Sequence, residues 1–122
     1  NNKLILYEPE FRRNYIHVRD IINTFIFAID NFQKVKNNIF NVGLSSANLT
    51  KIDLCRKIKK HIPSFEFEVS KDGTDPDKRD YFVSNKKIES LGWKPKVSLD
   101  DGIIELLQVY KLINLKDFDK NI

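Results

Sequence analysis

The stretch DPDKRDYFVSNKKIESLGWKP, residues 75–95, combines a charged loop, a strand-like run and a short helix that closes with Gly-Trp-Lys-Pro. Its one arginine, Arg79, stands among three aspartates: Asp75, Asp77 and Asp80. A guanidinium suits phosphate binding because its planar donors match two oxygens and its charge is permanent. The same arginine could equally be the salt-bridge partner of those aspartates. The residues of this stretch leave both interpretations open.

Five short runs of apolar or alternating residues predict β-strands. They are residues 4–7, 15–18, 39–42, 65–69 and 81–83. The run at 65–69 alternates strictly, which is typical of a strand with one exposed face, and a polar loop over residues 70–78 follows it. Because helical patterns separate these strands, the sequence predicts a mixed α/β fold.

Four helices are predicted from capping residues that precede apolar periodicity. The predicted N-caps are Asp20, Thr50, Ser84 and Ser98. The first helix runs through Phe32 and is so apolar that we expect it to be mostly buried. The second reaches His61 and stops before Pro63. The third ends at Gly92 and the last extends to about Ile113.

Length and composition limit the kinds of protein that this sequence can encode. The 122 residues, 41% of them hydrophobic, suffice for one folded domain, which we assign to residues 1–114, with a tail at 115–122. A single cysteine, Cys55, excludes an intrachain disulfide and is typical of a reducing compartment. No apolar run approaches the roughly 20 residues of a membrane span, and the first residues do not form a signal peptide. We therefore expect a cytoplasmic protein without a membrane partner.

Charge and ligand residues argue against two further classes. The net charge is +4, but the lysines are dispersed and aromatic residues do not interleave with a basic stripe, so a nucleic-acid partner is not expected. The only histidines, His17 and His61, form no metal-binding pattern with Cys55. The aspartates of the loop do not match the spacing of an EF-hand. No metal site is predicted.

A second charged motif, residues 12–20, places two guanidinium groups directly before a predicted strand. These arginines could bind phosphate or could be solvated surface residues. We assign His17 a structural role because no partner acid is evident near it in the sequence. Cys55 lies on the packed face of its predicted helix and is interpreted as a core residue.

Three ordered motifs give the chain a resemblance to the C-terminal part of the extended short-chain dehydrogenase/reductase family, which includes nucleotide-sugar epimerases and dehydratases. Residues 13–20 match Arg-x-Tyr/Phe-x-His-Val-x-Asp, and residues 41–43 match an Asn-Val-Gly turn. Residues 79–95 match an arginine-bearing loop, a strand, a helix with a lysine, and Leu-Gly-Trp-x-Pro. The resemblance spans residues 4–113, and three motifs in order are more specific than any one alone.

The resemblance implies a set of substrate-binding residues. Arg13 and Arg79 would contact the diphosphate of a nucleotide-diphosphate sugar and would therefore converge on one anion site. An aspartate of the loop would hold Arg79 while the site is empty. Tyr7 would pack on the base, since a flat ring can stack on a base without reading it in detail. Tyr15 and Asn48 are further candidates.

The catalytic half of the family pattern is not found in the sequence. Family members bind NAD(P) on a glycine-rich Rossmann turn and use a Tyr-x-x-x-Lys pair, but no tyrosine here has lysine four residues later. We therefore expect a small mixed α/β substrate-binding lobe with no catalytic or cofactor-binding residue of its own. The resemblance implies an N-terminal Rossmann domain of the same protein as its partner, with NAD(P) in that parent enzyme, and a parent able to form homodimers. The alternative is a stand-alone binding or interaction module without catalysis.

Overall fold

The computed structural model describes residues 3–113 of the chain. The tail predicted at residues 115–122 lies outside this range. Within residues 3–113, five helices and four short strands are interspersed along the sequence. They are β1 (Leu4–Leu6), β2 (Arg12–Asn14), α1 (Val18–Asp30), α2 (Phe32–Val35), a 3-10 turn (Ser45–Ala47), β3 (Asn48–Thr50), α3 (Lys51–His61), β4 (Phe67–Val69), α4 (Lys86–Glu89) and α5 (Leu99–Leu112).

The four strands form two separate pairs. β1 runs parallel to β4, with Leu4 opposite Phe67, and β2 runs antiparallel to β3, with Arg12 opposite Thr50. The strands predicted at residues 4–7 and 65–69 are confirmed in shortened form, and so is the mixed α/β class. Each ladder is only three residues long, so other contacts must hold the elements together.

The strand predicted at residues 15–18 is wrong, because β2 lies three residues earlier and consists of polar residues. The Asn14 side chain ends the strand: its Nδ2 donates to the Leu44 carbonyl and its Oδ1 accepts from the Leu44 N–H, both at 2.9 Å. His17 already caps the next helix. An apolar pattern cannot locate a strand whose residues are Arg, Arg and Asn.

The strands predicted at residues 39–42 and 81–83 are also wrong. The backbone of Val83 bonds to the side chain of Asn48 instead of a strand, with its N–H donating to Oδ1 at 2.8 Å and its carbonyl accepting from Nδ2 at 3.0 Å. Ile39 is 87% exposed, and residues 39–42 have no ladder partner within residues 3–113. Strand propensity without a neighbouring strand leaves these segments extended but unpaired.

Two of the predicted helix caps are confirmed. The hydroxyls of Thr50 and Ser98 each accept a backbone N–H from the third residue along the chain, as in a capping box. The cap predicted at Asp20 is wrong, since His17 is the N-cap of α1 and its Nδ1 accepts from the Arg19 N–H at 3.1 Å. Imidazole can fill the place that hydroxyl or carboxylate oxygens usually take at a helix start.

The cap predicted at Ser84 is wrong by one residue. Asn85 is the N-cap of α4, but its side chain is buried and donates to Ser45 Oγ at 3.2 Å instead of capping the helix. Gly92 is confirmed as the glycine that ends this segment. Its φ is +98° and its N–H donates to the Glu89 carbonyl at 2.9 Å.

The core is small, and its buried apolar residues come from β1, the 3-10 turn, α3, α4, α5 and the segment between α4 and α5. Its buried apolar residues include Trp93 at 4% exposure and Cys55 on α3, which confirms Cys55 as a core residue. Burial raises the pKa of the Cys55 thiol, which keeps it protonated and unreactive at neutral pH. The full set is Leu6, Ala47, Cys55, Ile88, Trp93 and Ile103.

The expectation that α1 is mostly buried is wrong. Only Asp20 of this helix is buried. Apolar residues spaced three or four apart form one exposed stripe, which we call the α1 stripe. It consists of Val18, Ile22, Phe25 and Ile29 of α1 together with Phe32, the first residue of α2. No helix within residues 3–113 has the length and apolar character needed to cross a membrane.

Asp20 joins the start of α1 to the loop before α5. Its side chain is fully buried, and its two oxygens accept the backbone N–H groups of Lys96 and Val97, each at 2.9 Å. A buried carboxylate that accepts two amide protons tolerates little change, because losing one acceptor leaves a buried donor unpaired.

We expect Asp20→Asn to lower the free energy of unfolding by about 1–3 kcal/mol, because the amide oxygen can accept only one of the two N–H groups and the amide nitrogen cannot accept the other. Urea denaturation followed by circular dichroism measures this change. Asp30→Asn, on the exposed end of the same helix, is the matched control and should leave the midpoint unchanged. Equal midpoints for both variants would contradict the role of Asp20.

The α1 stripe should make the isolated chain self-associate between micromolar and millimolar concentrations. Sedimentation velocity should show a weight-average coefficient that rises with concentration for the wild type and stays flat for Phe25→Glu/Ile29→Glu. The control, Gln33→Glu/Gln108→Glu, adds the same charge at exposed neutral positions outside the stripe and should behave like the wild type. A monomeric wild type over the whole range is the opposing result.

Candidate anion-binding site

Arg13 lies at the centre of a charged cluster between β2 and the acidic loop, defined here as residues 70–80. Its Nη1 donates to the carbonyls of Arg12 and Arg79, and its Nη2 donates to the Asp77 carbonyl at 2.9 Å. The Arg13 side chain is only 15% exposed. The guanidinium therefore fixes the acidic loop against β2 by bonding to its backbone.

Arg79 meets Arg13 at one carboxylate, that of Asp77. The Asp77 oxygens accept from Arg79 Nε at 2.7 Å and from Arg79 Nη2 at 2.9 Å, and Arg13 Nη2 lies 3.0 Å from Asp77 Oδ2. Bonding by Arg79, supported by Arg13, holds the pKa of Asp77 far below its usual range. The structure thus brings together two arginines that are 66 positions apart, with an anionic group between them.

A third arginine holds the end of the acidic loop. Arg12 forms a two-pronged pair with Asp80, with Nε–Oδ1 and Nη2–Oδ2 distances of 3.0 Å, and the Arg12 N–H donates to the same carboxylate at 2.8 Å. These bonds hold the pKa of Asp80 at about 2. Both side chains are more than 40% exposed, so the pair is screened by solvent.

Tyr7 lies at the other end of the acidic loop. Its ring packs so closely on Gly73 that a Cβ there would lie 2.6 Å from Tyr7 Cε1, and Gly73 has a φ of +121°. The Tyr7 carbonyl accepts from Lys51 Nζ at 2.6 Å, and the same ammonium pairs with Asp75. The loop is therefore anchored next to Tyr7 as well as at the arginines.

Tyr15 and Asn48, the remaining candidates, have different surroundings. Tyr15 lines an open apolar cavity of about 540 Å³ between α3 and α5, and the two candidate phosphate-binding arginines do not line this cavity. Burial raises the pKa of the Tyr15 hydroxyl, so it stays a hydrogen-bond donor at neutral pH. The Asn48 amide is engaged by the backbone of Val83. Its position is accounted for by that structural contact.

Two contacts in this region were not predicted from sequence. Tyr81 lies with its ring centroid 5.3 Å from Arg13 Cζ, a cation–π arrangement that covers the guanidinium. Lys51 anchors the acidic loop through Asp75. Asp77 is one of the loop aspartates expected to hold Arg79 in the empty site, and it also contacts Arg13. The position of Tyr81, two residues after Arg79, could have indicated this contact, but the sequence pattern placed Tyr81 in the predicted strand at residues 81–83.

His17 has the structural role that the sequence predicted. Because its Nδ1 accepts the Arg19 N–H, its proton resides on Nε2, which lies 3.2 Å from Glu105 Oε2. Within residues 3–113, no three His, Cys, Asp or Glu side chains are grouped closely enough to hold a metal ion. The chemistry that the cluster offers is the binding of an anion by guanidinium groups.

No protein-family model matches the chain. Its relatives among curated proteins have names that refer to nucleotide-linked sugars. The chain is 30% identical over 99 residues to a probable GDP-L-fucose synthase 1 of rice (Oryza sativa subsp. japonica), covering 80% of this chain and 29% of that protein. It is 30% identical over 112 residues to the Escherichia coli dTDP-4-dehydro-6-deoxyglucose reductase, covering 85% and 32%. It is 31% identical over 108 residues to the mouse dTDP-D-glucose 4,6-dehydratase, covering 82% and 29%. The chain thus spans less than a third of each relative.

Solved structures match over a similar region. A GDP-6-OMe-4-keto-L-xylo-heptose reductase from Campylobacter jejuni overlays with a TM-score of 0.74 at 26% identity, over 92% of this chain and 34% of that one. A GDP-mannoheptose C4 reductase from the same organism, with NADP bound, gives 0.72 at 27% identity, over 89% and 32%. The fold described above is that of the C-terminal region of these proteins.

The ion pair between Arg12 and Asp80 should make the free energy of unfolding depend on pH in the acidic range. Because the folded pKa of Asp80 is about 2 and its ordinary value is 3.8, the pair's stabilisation is present above about pH 4 and is lost as the pH falls toward 2. Asp80→Asn should therefore be less stable than the wild type at neutral pH and should lose less stability between about pH 5 and about pH 2. Urea midpoints measured across this range test this.

Asp72→Asn is the control for that experiment, since the hydrogen bonds between Asp72 and Ser70 use only backbone atoms of Asp72. Its dependence on pH should follow the wild type. If Asp80→Asn and the wild type lose stability in parallel, the pair does not contribute.

Proposed function

Because the chain belongs to the extended short-chain dehydrogenase/reductase family, we propose that it is the substrate-binding C-terminal domain of an NAD(P)-dependent nucleotide-sugar epimerase, dehydratase or reductase. In this proposal the lobe holds the nucleotide diphosphate of the substrate. The names of the three curated relatives all contain a GDP- or dTDP-linked sugar, which supports a nucleoside diphosphate as the shared chemical group.

The meeting of Arg13 and Arg79 at one carboxylate carries the proposal. Two guanidinium groups held this close repel each other unless an anion lies between them, and Asp77 takes that place here. A diphosphate offers more oxygens and more negative charge than a carboxylate to the same donors. Arg79 is 77% exposed, so a ligand can reach its guanidinium from solvent.

Tyr7, Tyr15 and Asn48 take secondary places in the proposal. The Tyr7 ring, next to the acidic loop, stacks on the nucleobase. Tyr15 lies near Arg13 and offers a protonated hydroxyl to the ligand. Asn48 contributes by holding the chain segment at Val83 and, through it, Tyr81. None of these side chains supplies the acid, base or hydride of the reaction.

The remaining chemistry belongs to a partner domain. Proton transfer and hydride transfer with NAD(P) take place in an N-terminal Rossmann domain of the parent protein, which is cytoplasmic and able to form homodimers. The α1 stripe is the surface against which such a domain packs, because five large apolar side chains stay in contact with water in the isolated lobe. This lobe alone binds substrate without converting it.

We expect Arg13→Ala and Arg79→Ala each to weaken the binding of GDP or dTDP to the chain by about ten- to a hundredfold. A charge-assisted contact to phosphate contributes about 1.5–3 kcal/mol, and 1.4 kcal/mol corresponds to a factor of ten. Isothermal titration calorimetry at low salt measures the affinities, and circular dichroism checks that each variant is folded. NAD should give no saturable isotherm.

Arg56→Ala is the matched control, because Arg56 is exposed on α3 and pairs with Asp53 of its own helix. It removes the same charge away from the cluster and should leave the affinity within twofold of the wild type. Arg79→Ala is the cleaner test of the two, since Arg13 also fixes the acidic loop. Equal losses in all three variants would point to a general effect of charge and against this site.

A further inference from the structure

The carboxylate of Asp77 occupies the position that the proposed function gives to a ligand. Arg79 donates to both of its oxygens, and Arg13 Nη2 lies 3.0 Å from Oδ2. The N–H of Arg79 also points to Oδ1, at 3.3 Å. One internal anion therefore engages both guanidinium groups and the backbone of the acidic loop.

Both terminal nitrogens of the Arg13 guanidinium are already engaged. Nη1 bonds to the carbonyls of Arg12 and Arg79, Nη2 bonds to the Asp77 carbonyl, and the ring of Tyr81 covers the guanidinium. With only 15% of this side chain exposed, a ligand cannot reach Arg13 while residues 77–79 keep this position. Binding of a phosphate by both arginines requires Asp77 to leave.

The loop has anchors on both sides of Asp77, and Asp75 Oδ1 also accepts the Asp77 N–H at 2.8 Å. Asp75 pairs with Lys51 and its N–H donates to Glu8 Oε2 at 2.9 Å, and Asp80 pairs with Arg12. Only the segment between these anchors has to shift. The Asp77 side chain is 39% exposed, so water can replace the contacts that it gives up.

We propose that Asp77 is a built-in counter-ion of this site and that a nucleoside diphosphate binds by displacing its carboxylate from Arg13 and Arg79. The inference rests on the proposed function and adds a competitor within the chain. A diphosphate brings at least two negative charges to the arginines in place of one carboxylate. A monoanion only replaces one negative charge by another, so its exchange with Asp77 gains little binding energy. Asp77 thereby favours ligands of higher charge over monoanions.

Removal of the competitor should tighten binding. We expect Asp77→Asn to bind GDP about fivefold more tightly than the wild type, the effect of losing an exposed ion pair, and to improve binding of inorganic phosphate as well. Asp72→Asn removes the same charge from the same loop and should change the affinity by less than twofold. Isothermal titration calorimetry of the full 122-residue chain measures all three proteins.

The displacement itself has a direct signal in the wild type. The amide resonance of Arg79 should shift on saturation with GDP toward its position in ligand-free Asp77→Ala, because the bond to Asp77 Oδ1 is lost in both. Amide nitrogen–proton NMR spectra record this shift. An Arg79 resonance that stays in place while GDP saturates the chain would overturn the inference even if the affinities changed.

The two levels of proposal fail in different ways. If GDP binds the wild type through Arg13 and Arg79 but Asp77→Asn binds it equally or more weakly, the counter-ion role is refuted and the proposed function stands. If neither protein binds GDP, the proposed function and the displacement fail together. If Asp72→Asn binds GDP more tightly to the same extent, the change in net charge explains the effect. That result would also refute the role of Asp77 as a specific competitor.

Discussion

The scarcity of β-ladders is the constraint on which this structure depends. Each ladder is three residues long, so polar side chains supply the bonds that a longer sheet would provide. The amides of Asn14 and Asn48, the carboxylate of Asp20 and the guanidinium of Arg13 each tie two distant segments together through backbone groups. A small apolar core suffices because these bonds fix the paths of the connecting segments.

These polar side chains can serve both the stability of the fold and the binding of a ligand. Arg13 fixes the acidic loop and, in the proposed function, also contacts the ligand. A change in its bonding therefore alters both the loop and the site. The exposed Arg79 has no such double role, and its pairing with Asp77 is the more easily exchanged of the two. In the proposed function, Arg13 positions the site and Arg79 responds to the ligand.

Local signals in the sequence were sufficient for some elements and misleading for others. The caps at Thr50 and Ser98 were predictable because a capping box involves only neighbouring residues. The cap assigned to Asp20 was wrong because the local sequence cannot distinguish an aspartate that caps a helix from one that is buried. The buried role depends on the distant N–H groups of residues 96 and 97. β2 was missed because its pairing with β3 depends on distant residues. The meeting of Arg13 and Arg79 was expected from family resemblance, since no local pattern links positions 66 apart.

The contact between Tyr7 and Gly73 links two ends of the candidate site. The glycine has both a left-handed backbone and no space for a Cβ beneath the aromatic ring, so a residue with a side chain does not fit at position 73 while Tyr7 keeps this position. A smaller side chain at position 7 would open space at position 73, although the positive φ would still favour glycine there. In an alignment of homologues these two positions should covary, with larger residues at position 73 appearing only where the aromatic residue has been lost. Such a record of substitutions would trace how the loop and the ring evolved as one unit.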